Sequence, residues 1–205
     1  MQIDCDWTKN TKDKYFNFLK EITTQPFLQN KKLSTTIRLH QLKFRSEAGI
    51  PPVSKGLLMC YNMGNLKNPD IANSIIDNTE LAKYISNART YPLPLDIALP
   101  LFDWFVWFHK NEYKGLVHNY VLEGIKKTKE KIIFNKDTII NGILFRKGDW
   151  LRHEESKMDV LKKAAKEIRN KISFEKQTII LYHLDAQILK KYTNHELENL
   201  YNSFR

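Results

Sequence analysis

Gln2-Ile3-Asp4-Cys5-Asp6-Trp7-Thr8 is the stretch whose reading decides the fold. Alternate side chains of a strand lie on opposite faces. Gln2, Asp4, Asp6 and Thr8 therefore share one face, and Ile3, Cys5 and Trp7 the other. One face is thus acidic and the other apolar. Working outward, Thr11 starts a predicted helix to about Ile22, with Tyr15, Phe16, Phe18, Leu19 and Ile22 as its apolar face. Further strands are predicted over 33–42, 56–62, 93–99 and 177–184, and Gly49-Ile50-Pro51-Pro52 breaks the chain between two of them. Helices are expected from Asn78 or Thr79 to Ala88, from a Ser156/Asp159 capping box to Lys171, and from His195 to Phe204 behind a Thr193/Glu196 cap pair.

Strands alternating with helices give an α/β fold with a parallel sheet. About five core strands are too few to close a barrel of eight. Residues 112–155 break the alternation with short β-type runs, including Thr138–Phe145 and a turn at Lys147-Gly148-Asp149, and read as a β-hairpin insertion. The organisation expected is one domain over 1–205, with the 112–155 insertion inside it.

The chain has 205 residues, 42% of them apolar, which suffices for a hydrophobic core. The net charge of +10 comes from lysines spread along the chain, so nucleic acid is not an expected partner. No apolar run is long enough to span a membrane. Two cysteines, Cys5 and Cys60, make no disulfide framework or zinc motif, and both are expected as small buried thiols. With 7 glycines and no Gly-rich phosphate loop, no nucleotide site is read, and no metal or cofactor is expected.

Asp4-Cys5-Asp6-Trp7-Thr8 resembles the fourth-strand signature of the family-eighteen, chitinase-like glycoside hydrolases. Leu58-Met59-Cys60-Tyr61-Asn62 resembles that family's sixth-strand Met-x-Tyr-Asp motif, with Asn62 in place of the Asp. Asp96–Trp104 stands where the seventh strand leads to a substrate-site aromatic, and Gln177–Asp185 would be the eighth strand. The whole run looks closer to a family of uncharacterised bacterial TIM-barrel proteins, distantly similar to those hydrolases. The resemblance implies the last five strands of a (β/α)₈ barrel. It also implies an exported or envelope-bound whole protein, a compartment these residues do not themselves give.

Two departures qualify the resemblance. Thr8 stands where the family has its catalytic Glu, and a hydroxyl is no acid at neutral pH. The family mechanism, in which the substrate's N-acetyl group is the nucleophile, needs that acid. The first three barrel strands are also missing, so the open sheet edges call for the missing half or for self-association.

Asp4 and Asp6, roughly 6–7 Å apart along one strand face, could work as an acid/base pair. They could equally be neutralised by Arg38 and His40, which with Thr36 share one face of the next predicted strand. Asp96 is the alternative acid. Tyr61 and Asn62 would position a sugar, as the resemblance implies for the tyrosine. Trp104 or Trp107 could stack on a sugar ring. Arg146, Asp149 and Arg152 read as an exposed salt-bridge set without chemistry. The chain is therefore expected to be a divergent glycoside hydrolase or a glycan-binding pseudo-enzyme with carbohydrate as partner. A non-catalytic scaffold or binding domain of the bacterial envelope is the alternative.

Overall fold

Parallel pairing organises the larger sheet, whose strands run in the order β1 (Gln2–Ile3), β2 (Ser34–Arg38), β3 (Lys55–Met59), β4 (Leu95–Pro100) and β11 (Ile179–Tyr182). The computed structural model describes residues 1–118, 131–172 and 177–204. Every pairing in this sheet is parallel, and the sheet is a curled half-barrel. Crossovers carry α1 (Lys12–Thr23), α2 (Leu39–Lys43), α3 (Arg45–Ala48), α4 (Asn78–Ile85) and α5 (Met158–Lys171); α6 (Ala186–Leu189) and α7 (Asn194–Asn202) follow β11. No helix among the described residues is long and apolar enough to cross a membrane.

The core lies between the convex sheet face and the helices. Ile37, Leu58, Ile97 and Leu99 from the strands meet Leu19, Leu81, Ile85, Leu161, Ala165 and Leu200 from the helices. Fully burying such side chains contributes about 1.5–3 kcal/mol each, which makes this cluster the main stabilising term. Gly56 leaves no room for a side chain, since a Cβ there would stand 2.3 Å from the Ile37 side chain and 3.0 Å from that of Leu95.

The second sheet is antiparallel, in the order β6 (Glu112–Val117), β5 (Asp103–His109), β10 (Asp149–Glu155), β7 (Lys131–Ile133). It begins at Asp103, ahead of the expected insertion, because the aromatic run 102–108 is itself mostly strand β5. Alternation is again the reason: Phe105 and Trp107 contribute to one apolar cluster, and Val106 and Phe108 to another. The expected hairpin is β8 (Thr138–Ile140) and β9 (Ile143–Phe145). Asn141 and Gly142 turn it with φ of 45° and 81°, the left-handed pair that tight hairpins require.

Several boundaries differ from the sequence reading. The strand expected over 2–7 pairs only at Gln2–Ile3. The strand expected over 33–42 ends at Arg38 and turns into α2, because the Gln41 side chain accepts the Arg38 N–H at 2.8 Å and so caps a helix. α4 is capped by Asp77, which accepts from the N–H groups of Thr79 and Glu80, rather than by Asn78 or Thr79. Ser156 is not the cap of α5; its hydroxyl is buried and donates to the Phe102 carbonyl at 3.1 Å. The Thr193/Glu196 capping box forms as expected. Cys60 is buried, whereas Cys5 is exposed because its segment has already left the ladder.

Arg152 and Asp149 are not exposed. Arg152 is 6% and Glu154 1% accessible. Their side chains pair at 2.7 Å, and Glu154 also accepts from Ser74 at 2.5 Å and from the Trp104 indole at 2.9 Å. Arg152 further donates to the carbonyls of Asn68 and Leu66. The network ties the loop after β3 to the antiparallel sheet. Glu154→Gln, which strips the charge that compensates a buried guanidinium, is expected to cost about 3 kcal/mol. A urea unfolding midpoint unchanged from the parent protein would contradict this.

Candidate active site

Parallel strands bring their C-terminal ends to one edge of the sheet, and the candidate residues lie there. Asp4 and Asp6 follow β1, Arg38 ends β2, Tyr61 and Asn62 follow β3, and Tyr182 ends β11. With His40, Met59, Met63 and Tyr84 they line a cavity of about 350 Å³.

Local structure explains each position. The segment after β1 is held on its apolar side by Trp7, which is buried, stacks on Tyr15 at 5.3 Å and donates its indole N–H to the Ala48 carbonyl at 2.8 Å. Gln41 donates to the Trp7 carbonyl at 3.1 Å. On the polar side, Thr36 donates to Asp4 at 2.8 Å, and the Arg38 guanidinium binds Asp6. The Asp6–Arg38 pair is exposed, so it contributes little to stability. Its consequence is chemical: one of the two carboxylates already has a cation.

Tyr61 packs its ring parallel to Tyr182 at 5.5 Å and edge-on to Phe102 at 5.7 Å. Burial pushes the Tyr61 phenol well above its ordinary range, with Tyr182 and Asp4 adding to the effect. The hydroxyl therefore stays protonated throughout the neutral range and can donate a hydrogen bond. Asn62 has a φ of 54° and ends the β3 crossing, its N–H donating to the Ile75 carbonyl at 2.8 Å.

The structure thus brings together Asp4, Asp6, Arg38, His40, Tyr61 and Asn62. His40 arrives from α2 rather than from the strand face of Thr36 and Arg38, and its ring stands 4.7 Å from Phe44. Asp96 does not join them. It sits near the start of β4, paired with Lys55 at 2.6 Å and accepting the Thr178 N–H at 2.5 Å, which is a structural role at the opposite end of the strands. Trp104 does not line the cavity either, and its indole N–H is committed to Glu154. Thr8 has left the strand direction: its carbonyl accepts the Lys12 N–H and its hydroxyl lies 3.3 Å from Thr11, at the entry to α1. Tyr182, Tyr84 and Met63 were not singled out in the sequence. A tyrosine near the end of a predicted barrel strand was the available signal for Tyr182.

No protein-family model matches the sequence, and comparison with curated proteins gives no match. Similar solved structures include a chitinase from Chromobacterium violaceum ATCC 12472, at 9% identity over 92% of this chain and 63% of that one, with a TM-score of 0.56. The Bacillus cereus spore cortex-lytic enzyme SleL matches at 12% identity over 100% of this chain and 48% of its own, with a TM-score of 0.58. A GH18 chitinase mutant from Cycas revoluta, solved with (GlcNAc)4, matches at 10% identity over 100% of this chain and 67% of its own, with a TM-score of 0.56. The fold is therefore that of a chitinase-like barrel, of which this chain spans about half to two thirds.

Among the described residues, burial raises the phenols of Tyr15, Tyr61, Tyr192 and Tyr91, the last to about 12. Each stays protonated in the fold at a pH where the unfolded chain, near 10.0, has lost its proton. The unfolded state then binds fewer protons, so stability is full below about pH 10 and falls as pH rises from there. Urea denaturation at stepped pH should show this decline, shallower in Tyr91→Phe. A flat profile between pH 10 and 12 would contradict it.

Proposed function

We propose that the cavity at the strand ends is a glycan-binding site, and that the chain is a glycan-binding relative of chitinase-like enzymes rather than one that follows their mechanism. The observation that carries this reading is the convergence of Asp4, Asp6, Tyr61 and Asn62 on one cavity with the Tyr61–Tyr182 ring pair. Carboxylates and an amide suit sugar hydroxyls, and aromatic rings suit the apolar faces of pyranoses. The fold supports it, since the Cycas revoluta chitinase was solved with a chitin oligosaccharide.

Two features favour binding over turnover. Thr8 supplies no acid, and Arg38 occupies Asp6. The enzyme reading keeps Asp6 as acid/base and Asp4 as its assistant, with Arg38 as an orienting group. Asp96 and Trp104 have no part in either reading. An envelope scaffold without a sugar ligand is the remaining alternative, favoured by the same Arg38–Asp6 pair.

Calorimetric titration with chitotetraose should give saturable binding without hydrolysis. Tyr182→Ala should weaken it about fivefold, the loss expected for one aromatic contact. Hydrolysis by the parent chain that Asp6→Asn abolishes would establish the enzyme instead. Absence of binding would leave the scaffold.

A further inference from the structure

A second cavity, of about 450 Å³, lies on the antiparallel sheet and shares no residue with the first. Trp107 and His109 of β5, Lys114 of β6, and Leu144, Arg146 and Asp149 around β9 and β10 line it. Its acidic member is already spent. Asp149 is 1% accessible, with one carboxylate oxygen 2.5 Å from His109 Nδ1 and the other accepting the Arg146 backbone N–H at 2.9 Å. Lys114 is paired with Glu112 at 3.1 Å. The Arg146 guanidinium has neither an ion pair nor a hydrogen bond among the described residues.

The independent observation is Trp107. Its indole Nε1 is shut off from solvent and so lies out of a ligand's reach; what Trp107 offers the cavity is the rest of its ring. The ring itself packs on Phe145 at 5.0 Å and, with Leu144, gives the cavity an apolar wall. A guanidinium unpaired among the described residues, beside an apolar wall, fits an anion carried on a ring. A carboxylate takes the planar guanidinium fork with two parallel hydrogen bonds, and a pyranose face takes the aromatic wall.

We propose that this cavity binds an acidic sugar of the uronate type, with Arg146 holding the carboxylate and Trp107 meeting the ring. The site is separate from the strand-end cavity and stands or falls without it.

The test follows the Trp107 indole resonance in ¹H–¹⁵N spectra, assigned with Trp107→Phe, while D-glucuronate is titrated. A saturable shift is expected, with none from glucose. Arg146→Gln should weaken binding about tenfold or more, the loss of a charged hydrogen bond. Unchanged indole signals from Trp7, Trp104 and Trp150 report that this variant is folded; Arg146→Lys, which keeps the charge and loses the fork, replaces it otherwise and should also bind more weakly. No saturable shift, an equal response to glucose, or full affinity in the Arg146 variant would overturn the proposal. Tighter binding of inorganic phosphate than of glucuronate would overturn the sugar-acid class.

Discussion

Parallel strand pairing is the constraint on which everything else in this molecule rests. Because β1, β2, β3, β4 and β11 all run the same way, whatever follows each strand emerges at one edge. Asp4 and Asp6, Arg38, Tyr61 and Tyr182 are far apart in sequence and meet only for that reason. Alternation then sorts the residues at that edge. Trp7 and Cys60 go to the helix side, while the carboxylates and Tyr61 go to the cavity. The apolar side is dense and the cavity side polar, so the helix layer fixes the site without entering it.

The antiparallel sheet answers to a different interaction. The buried Arg152–Glu154 pair costs desolvation, and its geometry offsets that cost through Ser74, Trp104 and the carbonyls of Asn68 and Leu66. Its gain is positional: the loop after Asn62 is held against the second sheet. Trp104 therefore serves this joint rather than a ligand. Its place in sequence suggested a stacking platform, but its indole N–H had a buried carboxylate to satisfy.

The fold was legible because strand alternation and helical apolar faces are local signals. The acidic face of residues 4 and 6 follows from spacing; of the pairings with Arg38 and His40 that spacing left open beside catalysis, Asp6–Arg38 forms, while Asp4 takes the Thr36 hydroxyl. The failures have local causes too. Residues 33–42, rich in β-branched and apolar side chains, have the pattern of a strand through His40, yet one side-chain cap from Gln41 turns the chain into a helix. Asp96 lies on the inward face, as alternation required, but at the wrong end of its strand, where Lys55 and the Thr178 N–H claim it. Periodicity gives the face and not the depth. Tyr182 could be read only as a tyrosine near a strand end, and the Trp107 cavity depends on pairings between distant segments, for which a single sequence offers no cue.

The central claim is that the strand-end cavity holds a sugar. A crystal structure of this chain grown with chitotetraose tests it most directly. The account predicts a pyranose ring within the cavity, in contact with Tyr61 or Tyr182 and with hydroxyls on Asp4 or Asn62. An empty cavity at saturating sugar, or a sugar bound only elsewhere, would contradict it.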